Sequence, residues 1–213
     1  MERRMEITAA QVKELREKTG AGMMDCKQAL AKCGGDVDKA VEDLRKSGVL
    51  KAAKKAERAT GEGLIGSYVH AGSKLAVLVE VNCETDFAAR SDQFQAFAKD
   101  VAMHIAAQNP LVVTREEVPE HLITKEREIY REQALKEGKP EKVIDKIVDG
   151  RIEKYMSEVC LMEQPFVKDQ DITVEDLLKQ TVATLGENIR IKRFVRMKLG
   201  ETEGNPPANA CCV

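Results

Sequence analysis

A carboxylate and an aromatic ring stand side by side in one segment of this chain, which reads Glu80-Val81-Asn82-Cys83-Glu84-Thr85-Asp86-Phe87. The apolar run from Leu75 to Val81 is typical of a strand, and it stops just before the pair. We therefore expect Asp86 and Phe87 to lie on an exposed tip. Such a ring can enter an apolar pocket of another protein, while the carboxylate disturbs charges nearby. This combination favours a protein that opens a binding site on its partner.

The sequence lacks the common motifs that hold catalytic groups or phosphates. It contains no G-x-x-x-x-G-K-[ST] loop, no G-x-G-x-x-G after a strand and no G-x-S-x-G elbow. Glu84 and Asp86 are close in sequence, but an acid–base pair needs a second group at a fixed distance, and nothing fixes one. Cys83 and His70 could act as nucleophile and base across a hairpin, yet no third residue orients them. We expect no catalytic site and no enzymatic bond-making.

The six cysteines do not form the pattern of a disulfide framework or a zinc site. Cys26 and Cys33 lie in a helical pattern, Cys83 ends a strand and Cys160 lies late in a helix, so we expect small buried hydrophobic residues in a reducing cytosol. Zinc ligands usually come in close pairs such as C-x-x-C, which is absent, and the three histidines are scattered. We expect neither a metal nor another cofactor.

Length and charge narrow the class of protein. The 213 residues can bury a sizeable core in one or two domains, and the formal net charge is only -2 although 33% of the residues are charged. This balance does not predict direct binding of nucleic acid. The absence of Trp and the 4% aromatic content favour a mostly helical protein. No apolar run approaches the ~20 residues that span a bilayer, so we expect a cytoplasmic protein without a membrane contact.

Residues 1–58 are predicted to form a three-helix N-terminal domain followed by a basic helical linker. Thr8 caps the first helix, with Gln11 as its capping-box partner, and Asp36 caps the third. Glycines mark the turns, namely Gly20, Gly22, Gly34 and Gly35. The linker from Lys51 to Arg58 is interpreted as a solvated helix. A contact with phosphate or ribosome is the alternative, although no aromatic residues interleave with its lysines.

Residues 59–200 are predicted to form an α+β core. Leu64–His70 and Leu75–Val81 make a β-hairpin, and Ser91 caps an amphipathic helix. A charged helical hairpin follows near 121–161 and turns at Gly138-Lys139-Pro140. After one more helix, which Thr173 caps and Gly186 ends, Ile189–Leu199 is a closing strand, with a bulge expected at Arg193-Phe194. Residues 201–213 are predicted to be a disordered tail.

Two segments together are similar to the signatures of the bacterial elongation factor Ts family. The first reads Val12-Lys13-Glu14-Leu15-Arg16-Glu17-Lys18-Thr19-Gly20-Ala21-Gly22-Met23-Met24-Asp25-Cys26-Lys27, and the second is Glu80 to Phe87. The resemblance covers about residues 5 to 200. It implies an α+β fold in which a ubiquitin-associated-like three-helix bundle precedes a small antiparallel sheet, packed with helices, and a helical hairpin.

The resemblance also implies a function. The family acts as guanine nucleotide exchange factor for elongation factor Tu, the GTPase that carries aminoacyl-tRNA to the ribosome, and it would bind both the GDP-bound and the nucleotide-free partner. By motif position, Arg16, Met23 and Met24 would contact the G domain of that partner. Asp86 and Phe87 would insert near its magnesium and switch region. Core packing is the alternative for the methionines, but two adjacent side chains cannot face the same core, so at least one should be exposed.

The chain departs from the family pattern in two ways. Ala88 follows the Asp-Phe pair, where a larger β-branched residue is common. Longer members carry two related sheet-and-helix subdomains, whereas this chain shows one, as in short members that tend to pair as homodimers. We expect a homodimer formed through the sheet, the closing strand or the charged hairpin. A disulfide through Cys83 or Cys160 is not expected to hold it in a reducing cytosol.

Two other functions remain open at the level of sequence. A ribosome- or RNA-binding module would work through the basic stretch from Lys51 to Arg58, and its affinity would fall steeply with salt. A ubiquitin-binding or scaffold protein would use the three-helix unit alone and would leave the Asp-Phe tip without a purpose.

Overall fold

A computed structural model describes residues 7–19 and 21–201, and for 49–54 it describes the backbone alone. It has three N-terminal helices and then a small antiparallel sheet with helices, which confirms the predicted α+β class. Two expectations lie outside the described residues, namely Gly20 as a helix stop and the disorder of the tail beyond residue 201. By internal contacts the chain forms two compact units. The first holds 1–63, 82–97 and 176–190, and the second holds 64–81, 98–175 and 191–213.

The described helices run in chain order, and their bounds are α1 Ala9–Thr19, α2 Met23–Lys32, α3 Val37–Lys55, α4 Asp86–Ala89, α5 Asp92–Gln108, α6 Glu120–Lys136, α7 Glu141–Val159 and α8 Val174–Leu185. The strands are β1 Glu62–Val69, β2 Leu75–Cys83, β3 Pro165–Phe166, β4 Asp169–Thr173 and β5 Ile189–Lys198. Three strands form one sheet in the order β1-β2-β5, and β3 pairs with β4 in a second, two-stranded sheet.

Local capping signals set the start of the N-terminal helices. The backbone N–H of Thr8 donates to Gln11 Oε1 at 3.0 Å, and the N–H of Gln11 donates to Thr8 Oγ1 at 3.3 Å, which is the predicted capping box. Asp36 Oδ1 accepts from the N–H of Lys39 at 3.1 Å and caps α3. Buried residues from all three helices form a small core of their own, made of Leu15, Cys26, Ala29, Leu30 and Ala40.

The third helix is longer than the sequence predicted. It runs on to Lys55, so the first part of the basic linker continues α3 instead of forming a separate element. A Cβ built on Gly48 would lie 3.4 Å from the Cβ of Ala183, which shows how closely α3 approaches α8 within the first unit. That unit combines 1–63 with two later segments, so the domain boundary at residue 58 stays a prediction.

The three-stranded sheet is covered by a helix on one face. Val77, Val79 and Val81 of β2 are buried, as the alternation of a half-buried strand requires. At Gly66 of β1 a Cβ would lie 3.1 Å from the carbonyl oxygen of Ala98, so α5 packs closely on this face and even a small side chain there would press on its backbone. The other face exposes several apolar side chains, which are Ile65, Val69, Leu78, Val195 and Met197.

The closing strand changes phase where the sequence analysis placed a bulge. Ile189 and Ile191 are buried with Arg190 exposed between them, but Lys192 and Arg193 are both exposed. Phe194 and Arg196 are then half-buried. The inward positions therefore shift by one residue between Ile191 and Phe194, and the bulge itself stays a prediction.

The predicted helical hairpin is confirmed as α6 and α7, and it packs on a core of its own. Four residues of α7 at helical spacing are buried, namely Ile144, Val148, Ile152 and Met156. They form one cluster with Val112, Val118, Ala134 and Cys160. Ion pairs such as Arg127 to Asp149, at 2.8 Å, join the two exposed faces.

The β3–β4 hairpin is an element that the sequence did not predict. It pairs Pro165 with Thr173 and Phe166 with Asp169. The buried ring of His104 on α5 holds this segment, because its Nδ1 accepts from the N–H of Val167 at 3.2 Å and its Nε2 lies 2.9 Å from Gln164 Oε1. With Nδ1 as acceptor, Nε2 carries the proton and donates to Gln164.

Candidate functional site

The Asp-Phe tip is a single helical turn, α4, that follows directly on β2. Thr85 has an extended backbone and is its N-cap, because Thr85 Oγ1 accepts from the N–H of Ala88 at 3.3 Å. A single turn cannot bury all its sides, and the four residues divide between inside and outside. Ala88 and Ala89 are buried, whereas the ring of Phe87 is 82% exposed. Ala88 therefore faces inward, away from the surface that Phe87 occupies.

The carboxylate of Asp86 forms an ion pair with Arg90. Asp86 Oδ2 lies 2.9 Å from the guanidinium of Arg90, one turn further on. The side chain of Asp86 is 45% exposed and that of Arg90 is 77% exposed. Ion pairs as open as this contribute about 0–1 kcal/mol, so a partner's charge can separate the two groups at little cost.

Two glutamates hold the chain just before the tip. Glu187 accepts from the backbone N–H of Thr85 at 3.0 Å and from its hydroxyl at 2.6 Å. In return, Glu84 accepts from the backbone N–H of Asn188 at 2.6 Å. That hydrogen bond, together with the nearby charge of Arg58, lowers the pKa of Glu84, so it stays ionised at neutral pH.

Buried Asn188 ties the same loop to the end of the N-terminal helices. Its side-chain amide donates to the carbonyl oxygens of Arg58, at 2.7 Å, and Ala56, at 3.3 Å. The guanidinium of Arg58 lies 3.4 Å from Glu84 Oε1. The tip is therefore fixed from both of its neighbouring loops within the first unit.

The other residues assigned by the resemblance lie on α1 and at the start of α2. Arg16 is exposed and follows buried Leu15. Met23 and Met24 open α2, and they are 60% and 66% exposed, so both lie outside the core. We call Arg16, Met23 and Met24 the helical patch. Core packing of the two methionines, the alternative from sequence, is not what the structure shows.

The helical patch and the tip belong to the same compact unit. Among the side chains that the structure describes in this unit, the large apolar ones that are mostly exposed are Met23, Met24 and Phe87. Single exposed apolar side chains are common on protein surfaces, but all three of these lie in the two segments that resemble the family signatures. The alternative pair of Cys83 and His70 lies at opposite ends of the β1–β2 hairpin, because the N–H of His70 bonds the carbonyl of Leu75 at the turn and Cys83 is the last residue of β2. The Cys83 thiol donates to the carbonyl of Thr85, and His70 is bonded to Tyr68.

The sequence analysis missed Glu187, Asn188 and Arg90. Glu187 and Asn188 lie 102 and 104 residues from the groups they bind, and no local pattern links them. Gly186, whose φ is +79°, was predicted as the helix stop and was the only signal that a tight turn lies there. Arg90 could have been found, because it stands four residues after Asp86 in a segment that can form a helical turn.

Within the described ranges, no cluster of three or more His, Cys, Asp or Glu is arranged to hold a metal ion. None of the helices in the part of the chain that the structure describes is long and apolar enough to cross a membrane.

Comparison with known proteins gives the class and then the family. The match of the chain to a family model places it among the translation elongation factors. The chain belongs to the elongation factor Ts family, whose model matches residues 6–201. It is 60% identical over 195 residues to "Elongation factor Ts" of Solidesulfovibrio magneticus, covering 92% of this chain and 98% of that protein.

A second relative, from Nitratidesulfovibrio vulgaris, is 60% identical over 199 residues and is covered completely, with 93% of this chain aligned. "Elongation factor Ts" of Heliobacterium modesticaldum is also 60% identical, over 92% of this chain and 91% of its own length. The similarity therefore extends over the sheet and the helical hairpin as well as over the two signature segments.

Proposed function

We propose that this protein is a guanine nucleotide exchange factor, which binds elongation factor Tu in the cytoplasm, promotes the release of GDP and lets GTP bind again. The observation that carries the proposal is the set of exposed apolar side chains in the first unit, Met23, Met24 and Phe87. They are the same residues that the family signatures assign to contact with elongation factor Tu. The factor makes and breaks no covalent bond in this role.

Thermodynamic linkage explains how contact alone can release a nucleotide. A factor that binds nucleotide-free elongation factor Tu more tightly than the GDP form must weaken GDP binding by the same ratio. GDP then leaves faster, and GTP, where it is the more abundant nucleotide, refills the site. The factor dissociates unchanged, so one molecule serves many partners.

The tip supplies the part of the contact that disturbs the nucleotide site. A bound magnesium ion is among the largest charges in a phosphate site, and groups placed beside its ligands weaken its hold. In this proposal Phe87 enters an apolar gap near the switch region. When Asp86 gives up its ion pair with Arg90, its carboxylate comes close to the magnesium ion. There its negative charge competes with the phosphates for that ion.

The helical patch supplies affinity. Arginine and methionine are enriched in the centres of protein interfaces, and a few such anchors usually dominate binding. In this proposal Arg16, Met23 and Met24 hold the G domain while the tip acts, so loss of the patch raises the factor concentration that is needed. Loss of Phe87 instead lowers the rate of release at saturation.

Release of labelled GDP from purified elongation factor Tu tests the proposal. We expect release to accelerate when a catalytic amount of this protein is added together with excess unlabelled GTP. An unchanged rate across a range of factor concentrations would refute the exchange function. The RNA-binding alternative makes a different prediction, namely retention on RNA that falls steeply with salt. Arg58, one of the basic residues it would use, is paired with Glu84.

We further propose that the protein is a homodimer that pairs through the open face of its three-stranded sheet. That face exposes Leu78 on the central strand and Met197 on β5, which are 52% and 70% exposed. A single apolar sheet face is normally covered by another layer. A second copy of the chain would supply that layer and would complete a binding surface that longer relatives build from two subdomains.

A further inference from the structure

We propose that Glu187 is a positioning residue that holds the Asp86-Phe87 tip in one conformation by acting through Thr85. The inference deepens the exchange function and rests on it. Glu187 lies in the loop between α8 and β5, 102 residues along the chain from Thr85. Nothing in the two family signatures assigns it a role.

The first step of the argument is the double hydrogen bond. One carboxylate accepts from both donors of Thr85, the backbone N–H at 3.0 Å and the hydroxyl at 2.6 Å. Hydrogen bonds to an ionised acceptor are shorter and stronger than those between neutral groups. Two of them on one residue fix both the backbone and the side chain of Thr85.

The second step is the direction of the hydroxyl proton. A threonine hydroxyl has a single proton, and here that O–H donates its hydrogen bond to Glu187. The oxygen lone pairs of Thr85 are then free to accept, and the N–H of Ala88 donates to them at 3.3 Å. Glu187 therefore sets the orientation that makes Thr85 a good N-cap for α4.

The third step is reciprocity between the two loops. Glu84 accepts from the N–H of Asn188 at 2.6 Å, so each loop offers a carboxylate to the backbone of the other. The N–H of Ala89 donates to the carbonyl of Thr85 at 3.3 Å and that of Arg90 to Asp86 at 3.1 Å, but a helix of only four residues is not stable on such bonds alone. The direction in which the 82%-exposed Phe87 ring points thus depends on this pair of glutamates.

We call the two hydrogen bonds from Thr85 to Glu187 the clamp. Amide hydrogen exchange tests it in the absence of elongation factor Tu. In Glu187→Gln, which keeps the shape but replaces one acceptor oxygen with a donor, we expect the amides of residues 88–90 to exchange about tenfold faster than in the unchanged protein. Glu128→Gln, an exposed glutamate on α6, makes the same change of charge and is the control. Equal exchange rates in Glu187→Gln and the control would overturn the proposal.

A double-mutant cycle tests whether the clamp acts through the ring. We expect Glu187→Gln to lower the maximal rate of GDP release about tenfold in the unchanged background, with little change in the concentration needed for half-maximal effect. In a Phe87→Ala background the same substitution should change nothing further. An equal loss in both backgrounds would overturn the positioning role. Thr85→Ser keeps the hydroxyl and should retain the full rate.

The hydrogen-exchange assay and the GDP-release assay test the clamp and the exchange function separately. If the unchanged protein does not accelerate GDP release, the proposed function fails, but hydrogen exchange at residues 88–90 still decides whether Glu187 holds the tip. If release is accelerated and Glu187→Gln behaves like Glu128→Gln in both assays, the function stands and the clamp is wrong.

Discussion

Phe87 is the single side chain on which the proposed activity depends most directly. With 82% of its surface exposed, the ring contributes little to folding, since surface substitutions usually change stability by less than about 0.5 kcal/mol. We expect Phe87→Ala to keep the melting temperature and to lose about 2 kcal/mol of the stabilisation that drives GDP release, about 30-fold in rate. Release of labelled GDP at saturating factor measures the loss.

A matched control for Phe87→Ala is Leu135→Ala, which truncates another exposed apolar side chain, on α6. It should release GDP at the normal rate. Asp86→Ala should weaken exchange less than Phe87→Ala, because an exposed charge mostly tunes association rates and Asp86 is already shared with Arg90. A folded Phe87→Ala protein with undiminished activity would remove the ring from the mechanism.

The residues of the helical patch differ from Phe87 in the step that they should affect. We expect Arg16→Ala and Met24→Ala to raise the factor concentration required for half-maximal release, by about 1 to 2 kcal/mol each, and to leave the maximal rate nearly unchanged. Titration of nucleotide-free elongation factor Tu with each variant measures the affinity. Deleting residues 1–50 would test the helical patch less cleanly than these substitutions, because the deletion would cut through α3, which runs to Lys55.

Lys13→Ala is the control for Arg16→Ala, because Lys13 is an exposed cation on the same helix and is paired only loosely with Glu17, at 3.8 Å. Equal weakening by the two substitutions would show that general charge on α1 matters, and the specific role of Arg16 would then be wrong.

At the scale of elements, the sequence predicted those whose signals are local. The capping box of Thr8 and Gln11 marked α1, and the glycine-proline break after residue 137 marked the turn of the helical hairpin. The β3–β4 hairpin was missed because β3 has only two residues, too short for any alternation to show. The contact of Glu187 with Thr85 was missed because it joins distant loops. Capping and helix-break signals are contained within a few neighbouring residues, so the sequence shows them. A contact between distant loops exists only once the chain has folded.

The β3–β4 hairpin depends on a histidine that must stay neutral. His104 is fully buried, burial lowers its pKa, and its Nδ1 already accepts from the N–H of Val167. Asp100, one turn before His104 on α5, and Lys168, the residue after Val167, pair with each other at 2.7 Å. A proton on Nδ1 would face the N–H donor, so the charged ring does not fit this site.

The sign of the resulting pH dependence follows from the lowered pKa. Below about pH 6.5, which is the pKa of histidine in the unfolded chain, the unfolded state binds a proton that folded His104 does not bind. The free energy of unfolding therefore falls as pH drops. Above that value the contribution is fully present. Urea unfolding between pH 7.5 and about 5 measures the slope. We expect His104→Gln to be less stable at pH 7.5 and to lose part of the slope, while His121→Gln, an exposed control, retains it. An unchanged slope in His104→Gln would contradict the assignment.

For the whole molecule, the open face of the sheet raises the question of what covers it. The described N-terminal helices and the helical hairpin each pack on a core of their own, made of different residues. The apolar side chains of Ile65, Val69 and Leu78 are each more than half exposed. Such an apolar surface on one face of a sheet is unfavourable in water and favours pairing with a second sheet.

We expect the protein to be a homodimer at micromolar concentration, with a mass in light scattering of twice the 23.6 kDa of one chain. Leu78→Glu should produce the monomer, because it places a charge at the centre of the proposed interface. Leu135→Glu is a close control, since Leu135 on the helical hairpin is 51% exposed and Leu78 is 52% exposed. If Leu135→Glu dissociates the dimer and Leu78→Glu does not, the hairpin is the interface.

The dimer should also survive reducing agents. Cys83 and Cys160 are both fully buried in the chain, and burial raises the pKa of the Cys160 thiol to about 11, so little reactive thiolate is present at neutral pH. Neither thiol is placed to form a bond with a second copy.

A mass of 23.6 kDa that does not change with concentration would contradict the dimer. In that case one tip and one helical patch would have to perform the exchange alone, and GDP release would depend linearly on the concentration of monomer at low factor.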